Sequence, residues 1–334
     1  DIRAISSQNI VIHNNTVNDS NNGLYLFRSL NLKVQSNIIQ KISINGIENQ
    51  QTNSSQFIAN IFEDCGLYGI KSMFYQKNNN YTGNLLTQCG FHFDKGADTL
   101  FIDPSNKVNG KSVRYYEGKT GISLIDEPDV GQLILINVNN SVFRGLNVSC
   151  STSGIMCIRS HNNTFSDIVS NYNAESGFYM LFSSYNTITL SNFEFNTNGL
   201  RIEYSNYIKI AGNKITNNTQ FGFNCILFNF SQLYYNAFIN NNNDLEMANV
   251  QNNTWDNGLR GNYWSKFQTF YPSAENNGII WTTPHTLYDD GVIVEQDRYP
   301  LAYIPFSSFV APTLSAPSNQ SSDGSIILQW NYIL

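Results

Sequence analysis

Apolar and polar residues alternate in short runs that return at a nearly constant interval. After Gly23, Gly154, Gly177, Gly199 and Gly222, the first and third following positions are apolar: Leu24 and Leu26, Ile155 and Cys157, Phe178 and Met180, Leu200 and Ile202, Phe223 and Cys225. A period of two places each pair on one face of a strand. The glycines are spaced 23 and 23 over Gly23, Gly46 and Gly69, then 23, 23, 22 and 23 over Gly131, Gly154, Gly177, Gly199 and Gly222. Helical repeats of that length need apolar residues at i, i+3, i+4 and i+7, and a propeller blade needs nearly twice the period. The pattern predicts an all-β parallel solenoid of about 23-residue rungs, stacked about 4.8 Å apart so that like residues lie on like.

A second series carries Asn two positions before an apolar residue, at Asn15, Asn37, Asn60 and Asn84, and again at Asn213 and Asn236. An Asn turned inward at a corner both donates and accepts, so stacked copies satisfy backbone that has left the strand ladder. These six residues are the expected structural ladder. Between the two runs the same spacing lands on Arg144, Asp167 and Leu190. Cys65 and Cys89 fall on neighbouring rungs, as stacked core thiols or as a disulfide, while Cys157 and Cys225 share a column too far apart to bond.

The rungs are predicted over residues 1–90 and 131–255. Between them, residues 91–130 break the pattern, and Val108-Asn109-Gly110-Lys111 reads as an Asn-Gly hairpin in an insertion that projects from the rod. Residues 256–305, with Trp264, Trp281 and several Tyr, read as an aromatic C-terminal cap over exposed strand edges. Residues 306–334 read as a linker and the first strand of a truncated fibronectin III-like β-sandwich domain. The first residues are already mid-repeat, so further rungs are expected upstream, with a leader removed or the chain a fragment.

Two segments carry a resemblance. Phe101-Ile102-Asp103-Pro104-Ser105-Asn106-Lys107 through Tyr115-Tyr116 and Gly131–Asn137 resembles the insertion of NosD-like β-helix proteins. Asn253-Thr254-Trp255-Asp256-Asn257-Gly258, Gly261-Asn262-Tyr263-Trp264-Ser265 and Asp297-Arg298-Tyr299-Pro300-Leu301 are similar to that family's C-terminal segment. The resemblance spans about residues 1 to 301. It implies a right-handed parallel β-helix of the carbohydrate-binding and sugar-hydrolase type, secreted or held at the cell surface, often in archaeal surface proteins. The family name comes from members that help load periplasmic copper. Where relatives carry an Asp-rich, calcium-like run before a Thr-Pro step, this chain has Glu275-Asn276-Asn277 ahead of Thr283-Pro284.

Composition narrows the chemistry. Lys+Arg number 19 against 25 Asp+Glu, and only 13% of residues are charged, which argues against nucleic acid as a partner. No run of about 18 apolar residues is present to span a membrane as a helix. Asn occurs 50 times, which suits tight corners and yields sequons expected to be glycosylated in a secreted protein. The four His (His13, His92, His161, His285) lack paired spacing, so copper is disfavoured. Calcium is the candidate ion, with Asp289, Asp290 and Asp297 as its ligands and a solvated acidic turn as the competing reading.

Catalysis of polysaccharide cleavage, as lyase or glycoside hydrolase along the groove, is the alternative function. Its candidates are Asp167, Arg144 and Glu203, with a stacked Arg144–Asp167 ion pair replacing the ladder as the favoured reading of the first two. The leading expectation is an extracellular module, structural or carbohydrate-binding, with Tyr172, Tyr185, Tyr204 and Tyr207 as sugar-stacking residues. Its expected partners are polysaccharides or cell-surface glycans and neighbouring surface-layer subunits.

Overall fold

The computed structural model describes residues 1–74, 76–94, 100–289 and 291–305, so the linker and strand read over 306–334 lie outside the described residues. The chain winds as a right-handed parallel β-helix of about 12 turns, with a single four-residue helix among the described residues, at Phe267–Phe270. It does so because each rung places an apolar residue above its counterpart one period earlier. Leu24, Ile47 and Ile70 pair in register in one sheet of the first coil, and Ile12, Val34, Phe57, Tyr81 and Ile102 in the other. In the second coil the columns are Leu133–Ile155–Phe178–Leu200–Phe223–Leu245, Phe143–Phe165–Ile188–Ile210–Leu233 and Phe193–Ile215–Phe238–Trp264. Rings within columns stack face to face, as Phe57 on Tyr81 at 4.7 Å and Phe238 on Trp264 at 4.5 Å.

The Asn-Gly hairpin is present, and it does not project. Lys107–Val108 pairs antiparallel with Lys111–Glu117 across Asn109 and Gly110, both at positive φ, the geometry of a tight two-residue turn. Val108 also pairs with Leu86 of the first coil, and Val113 pairs with Gln132 of the second, so the hairpin lies in one continuous sheet. Because one hairpin strand is antiparallel to the other, strand direction reverses between the coils.

The reversal gives that sheet two buried faces. Leu133, Leu135, Ile155 and Cys157 point into the second coil, while Ile134, Ile136, Met156 and Ile158 pack with Tyr81, Phe91, Phe93, Leu100 and Ile102 of the first. Strands Gln132–Ile136, Ser153–Ile158 and Ser176–Leu181 are buried at every residue. Their unbroken apolar runs follow, since a strand covered on both sides has no solvent face to keep polar.

Corners obey a single local rule. A residue in the left-handed region, side chain outward, is followed by an inward Asn or Ser whose oxygen accepts from the backbone of the preceding rung's corner: Ser36-Asn37, Ala59-Asn60, Tyr172-Asn173, Tyr185-Asn186, Phe195-Asn196 and Asn217-Asn218 are examples. Asn15 donates from its backbone and side chain to Asn37, Asn37 to Asn60, Asn60 to Asn84 and Asn84 to Asn106, all at 2.8–3.1 Å. Asn213, Asn236 and Asn262 form a second column, and Asn173, Asn196, Asn218 and Asn241 a third.

Three columns run into the cap, and each ends on a carboxylate that takes the donors with no further rung to serve. Asn262 donates to Asp297, Asn253 to Glu295 and Asn241 to Asp244. Trp255, Trp264, Phe267 and Trp281 close the apolar end of the second coil.

Replacing fully buried Asn236 by Ala strands the donors of Asn213 and removes the donor that Ile210 O accepts. Unmade buried hydrogen bonds cost about 1–3 kcal/mol each, so the variant should lose about 3 kcal/mol or more in urea denaturation. Asn18→Ala, on the exposed outer face, should change stability by less than about 0.5 kcal/mol.

Candidate functional site

The left-handed corners of the second coil present its exposed rings. One column runs Asn140, Asn162, Tyr185, Tyr207, Phe230 and Asn252, all at φ between 51° and 61°. Asn tolerates that backbone conformation and aromatic residues do not favour it, yet three successive rungs replace Asn with a ring. Tyr185 stacks on Tyr207 at 4.8 Å with planes 1° apart, and Tyr207 on Phe230 at 5.3 Å and 14°. They remain 58%, 46% and 48% exposed. Three residues earlier on the same turn, Phe182 and Tyr204 form a second column with ring centres 4.9 Å apart. Tyr172 and Phe195 stack at 4.9 Å on another corner. Tyr185, Tyr204 and Tyr207 therefore share one turn, and Tyr172 stands on a different one.

The residues proposed for catalysis do not assemble. Arg144 pairs with Asp126 at 3.5 Å rather than with Asp167. Rung spacing explains the error: Ser191 donates to Asn213 across 22 residues, so the ladder column passes through Ile168 and Ser191, one residue beyond Asp167 and Leu190. Asp167 sits outside that column at φ 53°, and its carboxylate points away from the ladder. Glu203 is nearly buried at the end of a different sheet and accepts from Arg201 Nε at 2.7 Å.

Glu203 belongs to a cluster that the repeat conceals. Where the two coils face each other, Glu175 lies 3.0 Å from His92 Nδ1, accepts from Arg201 Nη1 at 2.7 Å and accepts from Ser153 Oγ at 3.2 Å. Tyr68 and Tyr179 flank the imidazole at 4.8 and 5.6 Å, and Arg201 lies over the Tyr179 ring. His92 comes from the first coil, and Glu175 and Arg201 from the second, so no single period links them. Burial pushes the Glu175 carboxyl up, but His92, Arg201 and Ser153 outweigh it and hold the group at about 2. Only Arg201 is appreciably open to solvent.

The acidic residues named for calcium also separate. Asp290 lies outside the described residues. Asp289 accepts from Asn249 N at 2.7 Å, whereas Asp297 is fully buried and accepts from Asn262 N, Trp264 Nε1 and Tyr299 N. Hairpin register pairs His285 with Asp297 and Asp289 with Val292, which sets the two carboxylates about 13 Å apart along the strand. Burial pushes Asp297 up to about 7 against the pull of its donors. Cys65 and Cys89 are free, buried thiols in the first core, with no disulfide between them.

The family model described as "Periplasmic copper-binding protein (NosD)" matches residues 87–269, and one described as "Right handed beta helix region" matches residues 1–125. No curated protein matches the chain. Among solved structures, a double mutant of the periplasmic alginate epimerase AlgG aligns at 11% identity and a TM-score of 0.33, over 71% of this chain and 64% of that one. This chain therefore spans less than two thirds of that enzyme's length. The A-module of the Azotobacter vinelandii mannuronan C-5 epimerase AlgE6 aligns at 11% identity and a TM-score of 0.26, over 74% and 73%.

Copper requires converging imidazole or sulfur donors. Among the described residues no group of three or more His, Cys, Asp or Glu side chains is placed to hold a metal ion. His92 is engaged by Glu175, His161 Nδ1 accepts from Ser184 N, and His285 is walled in by Trp264, Phe267 and Tyr271. The donor set does not fit a copper centre.

Since the folded-state pKa of Glu175 lies below its ordinary 4.5, the carboxylate adds stability above that pH and the contribution is lost as pH falls towards 2. Urea denaturation between pH 5 and 2 should show a steeper loss for the native chain than for Glu175→Gln. Equal slopes would remove the cluster from the stability of the junction where the two coils face each other.

Proposed function

The chain belongs to the NosD family, described as periplasmic copper-binding proteins, and from that premise we propose that it is an extracytoplasmic rod that binds glycan chains along its aromatic corner. The observation that carries the reading is the Tyr185–Tyr207–Phe230 stack, exposed at backbone positions that neighbouring rungs fill with Asn. A side chain placed against the preference of its backbone needs a compensating role. Sugar rings present flat faces of C–H groups, which pack on aromatic rings while their hydroxyls reach the flanking Ser and Asn groups.

Rungs repeat at about 4.8 Å and sugar units along a chain at a comparable length, so a column of rings offers successive platforms to one strand of polymer. No helix is long and apolar enough to cross a membrane among the described residues. Lateral assembly with other surface subunits and sequon glycosylation are compatible with this role; Asn14, Asn162 and Asn252 are exposed at left-handed corners.

A polysaccharide-cleaving enzyme is the second reading, and the cluster between the two coils is what favours it, because it joins His92, Arg201 and two carboxylates. Both carboxylates are already tied to Arg201, and the imidazole is nearly buried, so substrate would have to break those pairs to reach them. The proposed activity is therefore binding without cleavage.

Tyr207→Asn restores the residue type of the neighbouring rungs. It should leave stability within about 1 kcal/mol, because relief of the backbone offsets the lost stacking, and should weaken retention on neutral polysaccharide about tenfold. Affinity electrophoresis with a thermal melt of the same sample reads both. Unchanged retention would sink the corner as the binding surface, and chain shortening that requires Glu175 or Glu203 would favour the enzyme.

A further inference from the structure

At the far end of the second coil lies a cavity of about 410 Å³, floored by the strand Asn243–Ala248 and walled by the turn Phe267–Phe270 and the hairpin strand His285–Asp289. Its size falls within the range of small-ligand sites. Phe270 and Tyr288 stand at its mouth, 63% and 54% exposed.

The polar groups in this cavity are few and complementary. Lys266 Nζ donates to the backbone oxygens of Asn241 and Asn242 at 2.7 and 2.8 Å, which leaves one ammonium proton to give. Asp244 accepts from Asn241 Nδ2 at 3.1 Å through one oxygen. Tyr271 Oη accepts from Thr286 N at 2.9 Å and keeps its own proton. His285 Nδ1 is buried without a hydrogen-bond partner.

One cation and one carboxylate leave the cavity close to neutral, which favours neither an anion nor an organic cation. Burial also pulls His285 down to about 4, so its ring is uncharged near pH 7 and one nitrogen is free to accept. Donors and acceptors interleaved with open aromatic faces match a neutral polyhydroxylated ring.

We propose that this cavity is a second carbohydrate site, an end pocket that takes one or two neutral sugar residues. Its ligand class rests on the glycan reading of the rod, and its place in the cap goes beyond it. Phe270 and Tyr288 supply the stacking faces, and Asp244, Lys266, Tyr271 and His285 bond the hydroxyls. The Tyr172–Phe195 corner lies on the column that continues through Asn217 to Asn240, three residues before Asn243, so a chain end seated in the pocket can run back up the rod.

Titration calorimetry of the full chain with cellobiose, mannobiose and N,N′-diacetylchitobiose tests the pocket. At least one should bind saturably at millimolar concentration or better, and Phe270→Ala with Tyr288→Ala should weaken it about tenfold. Tyr185→Asn with Tyr207→Asn should leave it within about twofold. Both pairs replace exposed side chains, and a melt of each confirms that it is folded. Binding by none of the three sugars, or binding lost only in the corner variant, overturns the pocket. If polysaccharide retention survives that result, the corner reading stands without it; disaccharide binding without retention supports the pocket and removes the corner.

Discussion

A parallel coil must turn three times per rung without leaving buried amides unpaired, and in this chain the inward Asn side chain meets that demand. Each one accepts the preceding corner's backbone N–H through its oxygen and gives its own amide protons to a carbonyl and to the following Asn. This links rungs at the points where strand pairing has stopped. It also fixes what stands outside, because the preceding residue must be left-handed and its side chain leaves the core. The surface chemistry of the rod is thus set by the residue before each ladder Asn or Ser, and in the second coil that residue is repeatedly Tyr or Phe.

The same logic explains the cap. A ladder that donates in one direction ends with unpaired donors, and Asp297, Glu295 and Asp244 accept them. Gly261 lies so close to Asp297 that a Cβ would meet its carboxylate at 1.7 Å, which is why that position has no side chain. Asp297, which reads in sequence as part of an ion site, is here the far end of an amide column. Where the coils meet, the reversed sheet does a comparable task for the apolar groups, because the outer face of the second coil closes the core of the first.

Much of the fold was legible because spacing alone carries it: the glycine interval and the alternation after each glycine define rungs and strands. Corner identity was less so. Ser takes the ladder position at Ser141, Ser183 and Ser191, and the rungs are not all 23 residues long, so a count of 23 slides onto Asp167 and Leu190. Direction reversal leaves no mark on a period-two pattern, which is why the hairpin read as a projection. The His92–Glu175–Arg201 cluster joins residues of two coils and is invisible to any repeat. Paired steps such as Tyr172-Asn173, Tyr185-Asn186 and Phe195-Asn196 were readable signals for the outward rings.

Folding does not demand the rings of the second coil, since Asn fills the same corners in adjoining rungs. The most direct test is migration of the chain through gels containing neutral polysaccharide, beside the variant with Tyr185, Tyr207 and Phe230 all changed to Asn. The account predicts marked retardation of the native chain, near-free migration of the variant and matching melting curves. Equal retardation of both folded proteins would contradict it.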